Sequence, residues 1–319
     1  MLNENAAIVY FLGLRVYAWG LYLALGVSLA CACFALRARR SLPGGSAAAV
    51  CVLSILMGFA VSRLCYCAFD GKIRQVLSLK SVFLVTAGGY SMFGALLGAG
   101  LGAVVTGKAL KLPVLRILDL LAPCLFLFIA AERLGEGHLE GFGISRPLIS
   151  RITGWNLVIY HDEYEDYLAT YLIESLLALL LFAITMPKNT DDRRQGDVTL
   201  TCMLLYGLSQ VLMESLRFDQ HMRFSFVSVQ QILFMCLAAA ALFVRCRQLQ
   251  SLGRGKKLRI AMYICVPVLV ALLVLMEFLI DRSDFDKVLL YIIYIALLLV
   301  PLALGLRAGR EVRDGTHSN

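Results

Sequence analysis

Charged residues are scarce in this chain of 319 residues, since Asp, Glu, Lys and Arg together make up only 16% of it. In soluble globular proteins that share is about a quarter. Hydrophobic residues make up 60%. This balance excludes a disordered protein, a nucleic-acid binder and an ordinary soluble enzyme. It indicates a polytopic membrane protein, in which the net charge of +8 reflects basic loops on the cytoplasmic side.

Motifs for metals and nucleotides are also missing. The ten cysteines include two C-x-C pairs but no C-x-x-C, and no histidine accompanies them at the spacing of a zinc site. Neither a complete P-loop nor a G-x-G-x-x-G segment occurs. We therefore expect no metal and no cofactor, and we interpret most of the cysteines as small hydrophobic residues. No basic segment precedes the first apolar run, so we expect no cleaved signal peptide.

Nine apolar runs are each long enough to cross a bilayer as a helix, which takes about 20 residues. The runs are Val16–Leu36, Ala47–Phe69, Val82–Thr106, Val114–Ala131, Tyr167–Met186, Thr199–Leu216, Phe226–Val244, Leu258–Ile280 and Val288–Leu306. The sequence therefore predicts an all-α polytopic bundle of about nine transmembrane helices. Lys and Arg are more frequent on the side that begins with Arg37, Arg39 and Arg40. We therefore expect an outer N-terminus and a cytoplasmic C-terminus.

The runs divide the chain into three predicted parts. Residues 1–246 form a membrane core, whose longest connection is an acidic outer loop at 133–166. Residues 247–306 add two transmembrane helices. Residues 307–319 form a polar cytoplasmic tail, which we expect to be disordered.

Several charged residues lie within or at the ends of these runs, where lipid makes an isolated charge costly. Arg133, Glu174, Glu214 and Arg217 lie near the outer ends of their runs, so we expect them to gather at one outer cavity. Glu214 and Arg217 are three residues apart and can pair on one helix face. Asp119 lies nearer the cytoplasmic end. The alternative is a set of structural ion pairs, or of side chains that snorkel to the interface.

Glycines punctuate the third run. Gly94, Gly98 and Gly102 are four residues apart, which is the spacing for close packing of helices in membranes. Packing explains the adjacent Gly88 and Gly89 less well, because two glycines weaken a helix and favour a break.

Six short segments, in chain order, are similar to motifs of one family, and the Arg133 segment aligns after the deletion of one residue. They are Gly88–Gly94 (GGYSMFG), Asp119–Pro123 (DLLAP), Arg133–Gly143 (RLGEGHLEGFG), Tyr171–Glu174 (YLIE), Tyr206–Arg217 (YGLSQVLMESLR) and Ser228–Gln231 (SVQQ). Together they resemble the prolipoprotein diacylglyceryl transferase family over about residues 15 to 245. The resemblance implies a seven-span core, beyond which the last two runs are extra. It also implies an enzyme in the bacterial cytoplasmic (inner) membrane.

The implied reaction moves a diacylglyceryl group from phosphatidylglycerol to the Cys thiol of a lipoprotein precursor. The partners would be that lipid, the precursor's signal peptide and other membrane lipid, with no nucleic acid. A thiolate attacks the glycerol carbon that bears the phosphate, so a cation must hold the phosphate as it leaves. Because a free thiol has a pKa of about 8.5, a base or a positive field must supply the thiolate.

The resemblance also implies the site residues. The candidates for catalysis are Arg133, Glu136, His138 and Glu140. The candidates for substrate binding are Trp19, Gly88, Gly89, Phe93, Asp119, Gly143, Gln210, Glu214 and Arg217. Arg133 and Arg217 are the expected phosphate ligands.

Four of these positions depart from the family pattern. The family's His is Phe93 here, its first-span Tyr is Trp19, its signature Asn is Glu136, and the first Arg of the Tyr206–Arg217 segment is Gln210. With Phe93 in the His position, His138, Glu136 and Glu140 are the alternative bases.

Three functional hypotheses remain open on the sequence. The chain is an active, divergent diacylglyceryl transferase, or a paralogue with lost or changed chemistry that binds phospholipid or lipoprotein. The third hypothesis is a transporter or channel whose buried charges line a pathway.

Overall fold

The computed structural model describes residues 7–11, 14–69, 89–139, 142–147, 159–161, 165–186, 194–218, 223–224, 226–283 and 285–316. The helices of these ranges are α1 (Ala18–Ala38), α2 (Ser46–Phe69), α3 (Met92–Ala109), α4 (Val114–Glu136), α5 (Thr170–Thr185), α6 (Asp197–Leu216), α7 (Val229–Ser251), α8 (Lys256–Arg282) and α9 (Lys287–Thr316). The chain divides into two compact units: residues 1–186 with 216–220, and residues 187–215 with 221–319. We call them the first and the second unit.

Short antiparallel strands lie between the helices. The strands are β1 (Ala7–Phe11), β2 (Leu14–Tyr17), β3 (Ile144–Pro147), β4 (Ile159–His161), β5 (Asp166–Ala169), β6 (Arg223–Phe224) and β7 (Val227–Ser228). β1 pairs with β2 and β6 with β7, while β5 lies between β3 and β4 in a three-stranded sheet. Residues 140–141, 148–158 and 162–164 of the predicted outer loop lie outside the described residues.

The described helices confirm the predicted all-α membrane fold. Eight of them are long and apolar enough to cross a bilayer. Their outer surfaces are also apolar: on α1, Leu21, Leu25, Leu29 and Leu36 are all more than 40% exposed. A row of exposed leucines on one helix face would be an aggregation hazard in water, but lipid solvates it. The chain is therefore a multi-pass membrane protein.

The ninth helix, α5, has 16 residues and a length of about 24 Å. It begins beside the end of α4, where the Ser175 hydroxyl donates to the carbonyl of Ala130 at 2.8 Å. Just beyond its last residue, the Met186 sulfur accepts a hydrogen bond from Arg37, in the last turn of α1. These two contacts place α5 between the end of α4 and the last turn of α1. It is a shorter apolar helix within the fifth predicted run.

Three predicted boundaries are corrected by the structure. The third helix begins at Met92 rather than Val82. Gly89 has a φ of +81°, which is incompatible with a continuous α-helix, and the glycine pair predicted such a break. Residues 82–88 lie outside the described part of the chain. The fifth begins at Thr170, because residues 166–169 form β5. The first begins at Ala18, because β2 precedes it.

The sequence predicts a disordered tail at 307–319, but α9 continues to Thr316 and makes the tail helical up to that residue. Ala308 and Val312 in this segment are buried at 0% and 2% exposure, and Arg307 pairs with Glu311 at 3.4 Å on the exposed side. The polar composition of the tail therefore reflects an amphipathic helix end. Burial of one face stabilises this helix end, and amino-acid composition alone does not show which residues form that face.

Glycines let α2 and α3 approach each other closely. A Cβ atom on Gly102 would lie 2.6 Å from the carbonyl oxygen of Leu53 and 2.7 Å from the Cα of Ser54. A Cβ on Gly98 would overlap the backbone of Met57. Gly100, on the same helix, has nothing within 4 Å of the corresponding position. The four-residue spacing therefore forms a helix interface, as the sequence predicted.

We expect Gly102→Ala to destabilise the protein by about 1–3 kcal/mol, because the added methyl group must push two helix backbones apart. The matched variant Gly100→Ala adds the same methyl group to open space. It should be neutral or stabilising by up to about 1 kcal/mol, since alanine favours the helix. Thermal unfolding of the detergent-solubilised protein measures both changes. Equal melting temperatures for the two variants would contradict the interface.

Candidate functional site

One end of the first unit gathers charged side chains from three segments that are distant in sequence. Arg133 and Glu136 belong to the last turn of α4, and Glu174 lies near the start of α5. Arg217 follows α6 directly and forms a β-bridge with Ser145. The next residue continues this pairing, since the Phe218 N–H donates to the carbonyl of Ile144 at 3.1 Å. Strand β3 thus anchors the backbone that presents Arg217.

The four side chains form a closed ring of alternating charge, which we call the Arg–Glu ring. Arg133 Nη1 lies 2.6 Å from Glu136 Oε1, and Arg133 Nε lies 2.7 Å from Glu174 Oε2. Arg217 Nη2 lies 2.9 Å from Glu136 Oε2, and Arg217 Nη1 lies 3.2 Å from Glu174 Oε1. Each carboxylate therefore bridges both guanidinium groups. The planar guanidinium group suits this arrangement, because its separate nitrogens reach both carboxylates in a fixed geometry that a single ammonium nitrogen does not reproduce.

The ring is buried, and its formal charge is zero. The side chains of Arg133 and Glu174 are exposed by 2% and 0%, and those of Glu136 and Arg217 by 11% and 8%. Burying one of these charges alone would be very unfavourable, so each depends on the other three. Glu132 adds a fifth charge at the edge, with Oε2 at 3.8 Å from Arg133 Nε.

Aromatic side chains of α1 pack against the same end of α4. Gly135 allows this contact, since a Cβ there would lie 2.9 Å from Tyr22 Cβ and 3.2 Å from Trp19 Cδ1. The ring of Tyr22 stacks on His138, with centroids 5.4 Å apart and planes inclined by 22°. The indole N–H of Trp19 is buried and has no hydrogen-bond acceptor among the described residues.

The chain turns back after α4 at Gly143, which has a φ of +66°. Its carbonyl accepts a hydrogen bond from the Tyr171 N–H at 2.9 Å, and a Cβ on Gly143 would lie 2.7 Å from Tyr171 Cβ. Only glycine satisfies both the positive φ and this close approach. The turn sets the position of the first turn of α5, and hence of Glu174.

The glycine motif before α3 is held by α2. The Arg63 guanidinium is buried and donates to the carbonyl of Gly89 at 2.9 Å. The Ser62 hydroxyl donates to the carbonyl of Ser91 at 2.8 Å, while the Ser91 hydroxyl accepts from the Gly94 N–H at 3.3 Å as the N-cap of α3. Phe93 lies half-buried at the second position of that helix.

The second unit contains the other motif residues. Glu214 accepts a hydrogen bond from the Ser228 hydroxyl at 2.8 Å. The Gln231 amide lies 3.1 Å from the Val211 carbonyl, 2.6 Å from Glu277 Oε1 and 2.8 Å from the Tyr294 hydroxyl. Glu277 and Tyr294 belong to α8 and α9, the two helices predicted as additions to the seven-span core. Gln210 is also buried in α6.

The family model for prolipoprotein diacylglyceryl transferase matches residues 7–278 of this chain. The chain belongs to the prolipoprotein diacylglyceryl transferase family. The resemblance predicted from the six segments is thus confirmed.

Curated relatives carry the name phosphatidylglycerol–prolipoprotein diacylglyceryl transferase. The protein of Synechocystis sp. is 29% identical over 170 residues, which cover 50% of this chain and 60% of the relative. That of Shouchella clausii is 26% identical over 167 residues, covering 51% and 60%. That of Parasynechococcus marenigrum is 28% identical over 236 residues, covering 69% and 82%. The chain thus spans about three fifths of the length of the first two relatives.

The structure brings together some of the residues implied by the diacylglyceryl transferase resemblance. Arg133, Glu174 and Arg217 meet as expected, and Glu136 joins them. Glu214 belongs to the second unit. Asp119 lies on α4 fourteen residues before Arg133, which is about 21 Å along the helix axis, so it is not part of the ring. Gly88 and Glu140 lie outside the described residues.

Two of the candidate bases have their surroundings described in the structure. The sequence treats Glu136 as an alternative base, but in the structure it is a bridging ion-pair partner of both arginines. His138 is exposed and stacked on Tyr22. Arg63 and Glu132 are absent from the predicted site, although a charge within an apolar run is the signal that finds such residues. Among the described residues, no three His, Cys, Asp or Glu side chains are grouped so as to hold a metal ion.

We expect Arg217→Lys to lower the free energy of unfolding by about 1.5–3 kcal/mol, because one ammonium nitrogen replaces the two guanidinium nitrogens that contact Glu136 and Glu174 separately. The control is Arg307→Lys, which changes an exposed ion pair with Glu311 and should cost less than about 1 kcal/mol. Chemical unfolding in detergent micelles compares the two variants. A loss for Arg217→Lys no larger than the control would show that the ring contributes no such bridge.

Proposed function

We propose that this protein is a diacylglyceryl transferase that moves the diacylglyceryl group of a glycerophospholipid to the Cys thiol of a lipoprotein precursor. The donor in the relatives' printed name is phosphatidylglycerol, and the acceptor is a prolipoprotein. Family membership supports the reaction class. The observation that carries the proposal is the Arg–Glu ring, which holds two guanidinium groups side by side within a multi-pass membrane protein.

The chemistry assigns roles to the residues of this end. A guanidinium stabilises the phosphate that leaves when the thiolate attacks the glycerol carbon, and Arg217 keeps exposed atoms for that contact. Arg133, which is deeper, holds Glu136 and Glu174 in position. Glu140, His138, Gly143, Trp19, Gly89 and Phe93 remain candidate contacts of the substrates, as do Glu214 and Gln210.

The proposed location is the bacterial cytoplasmic membrane, with the N-terminus outside and the C-terminus in the cytoplasm. The basic cluster that includes Arg37 lies at the end of the first unit opposite to the Arg–Glu ring, which supports an outward-facing ring. The lipid and the signal peptide of the precursor would meet there. We retain the division into a core at 1–246, two further helices at 247–306 and a cytoplasmic tail as a proposal.

The ring also favours a second candidate function, a paralogue that binds phospholipid or lipoprotein without transferring the group. Both arginines are already engaged by carboxylates, and Phe93 stands where the family has His. Each arginine therefore presents less positive potential than an arginine beside the family's Asn. A binding protein would require less of that potential than an enzyme that stabilises a leaving phosphate.

Expression in bacterial cells depleted of their own transferase tests the first proposal. We expect the wild-type chain to restore growth and to produce precursor with a diacylglyceryl thioether on its Cys, measured by mass spectrometry. Arg217→Met should reduce the modified fraction roughly a hundredfold or more, because the leaving phosphate loses its cation. Arg307→Met, on the exposed side of α9, is the matched control and should rescue normally.

The amount of each variant in the membrane is measured in parallel, and Arg217→Lys serves as the conservative variant where Arg217→Met does not accumulate. If wild-type protein accumulates normally but no precursor is modified, the transferase proposal is wrong and the binding paralogue is favoured. If Arg217→Met and Arg217→Lys both retain full activity, the phosphate contact is wrong.

A further inference from the structure

The outer edge of the Arg–Glu ring is not a simple anion site. Arg133 and Glu174 are almost fully enclosed, with side chains 2% and 0% exposed. The side chains that keep exposed atoms are Glu132, Glu136 and Arg217, at 10%, 11% and 8%. A ligand that reaches the ring therefore meets two carboxylates and one guanidinium. With Glu132 included, the five side chains have a formal charge of −1.

Glu132 has an oxygen that requires a donor. Its Oε2 atom is buried and has no hydrogen-bond partner among the described residues. Its ion-pair partner Arg133 Nε lies 3.8 Å away, which is beyond hydrogen-bond distance. A buried carboxylate oxygen without a donor is unfavourable, so a ligand N–H placed there would be stabilised.

Glu132 and Glu136 present their carboxylates on one face of α4. They are four residues apart on the helix, so their side chains are neighbours. Gly135, which contacts Trp19 and Tyr22 of α1, lies beside them. An ammonium group between the two carboxylates would be close to the helix end and next to Arg217, which bonds Glu136 at 2.9 Å. Sites for a cation and for an anion are thus adjacent.

We propose that this edge recognises the head group of a zwitterionic phospholipid with a primary ammonium, phosphatidylethanolamine, and that Glu136 determines the choice. The phosphate would contact Arg217, and the ammonium would donate to Glu132 and Glu136. This inference rests on the proposed function and specifies its donor. The two carboxylates repel a purely anionic head group, whereas they neutralise an ammonium.

The transfer step follows with the same bonds as for any glycerophospholipid donor. The precursor thiolate forms a C–S bond to the glycerol carbon that bears the phosphate. The C–O bond to phosphate breaks, and its electron pair stays on the phosphate oxygen. The thiol proton passes to solvent or to the leaving group. The released product is O-phosphoethanolamine, whereas phosphatidylglycerol would release glycerol phosphate.

Competitive lipid binding to the full chain tests the preference without requiring transfer. The protein in detergent is mixed with equimolar phosphatidylethanolamine and phosphatidylglycerol, and bound lipid is quantified by native mass spectrometry. We expect wild type to prefer phosphatidylethanolamine about tenfold, and Glu136→Asn to shift the ratio by at least about tenfold towards phosphatidylglycerol. Phosphatidylcholine, which has the same charge but no N–H, should bind more weakly than phosphatidylethanolamine.

The matched control is Asp197→Asn, which removes a buried carboxylate from the Arg245 ion pair of the second unit and should keep the wild-type ratio. Where Glu136→Asn does not fold, Glu132→Gln replaces it and should remove the preference over phosphatidylcholine. Equal binding of the lipids, or wild-type preference for phosphatidylglycerol, overturns the inference. Signal peptides with increasing numbers of lysines provide a further test. If they displace bound lipid in proportion to their lysines, the inference is overturned, because the ammonium site would then bind the peptide.

The two proposals fail separately. If wild type prefers phosphatidylethanolamine but modifies no precursor, the donor-site inference holds and the transferase function is wrong. If reconstituted protein modifies precursor and releases only glycerol phosphate from mixed vesicles, the function holds and the inference is wrong. Release of O-phosphoethanolamine, reduced in Glu136→Asn, supports both.

Discussion

Four charged groups that cannot be buried singly constrain the first unit. A lone guanidinium or carboxylate at this depth would lose its hydration without compensation. Arg133, Glu136, Glu174 and Arg217 avoid that loss only because each carboxylate reaches both arginines, at 2.6 to 3.2 Å. The ends of α4 and α5 and the chain after α6 must therefore converge to within hydrogen-bond distance. Other contacts in the first unit hold these three segments together.

Small residues and backbone pairing bring the ends of α4 and α5 and the chain after α6 together. Gly143 lets the chain reverse against Tyr171, so that α5 begins beside the end of α4. Gly135 admits the aromatic side chains of α1, and the Ser175 hydroxyl ties α5 to Ala130. Strand pairing with β3 holds Arg217 in place where no helix does so. A similar use of buried polar groups recurs in the second unit, where Gln231 joins α6 to Glu277 and Tyr294.

The sequence predicts the helices well because apolar length is a local property, and it predicts Arg133, Glu174 and Arg217 together because lipid penalises isolated charge. The pairing of Glu136 with Arg133 is also predictable from the sequence, since the two residues are three apart on a helix. Its second partner, Arg217, is 81 positions away, and only the fold brings them together. The helical tail was missed because its polar residues hide a buried face at Ala308 and Val312. Asp119 shows the converse, since this residue of a matching motif lies far from the Arg–Glu ring.

The Glu136 position links the stability of the Arg–Glu ring to the charge that the ring presents. An Asn there, as in the family pattern, would leave the two arginines with Glu174 as their shared carboxylate and a surplus of positive charge at the ring. A Glu closes the ring, increases its mutual stabilisation and cancels that surplus. The same carboxylate thereby stabilises the buried cluster and lowers the positive potential of the two arginines. Together with Glu132, the closed ring presents a cation beside carboxylates. The head group that we propose for this edge carries charges of both signs and so matches this arrangement.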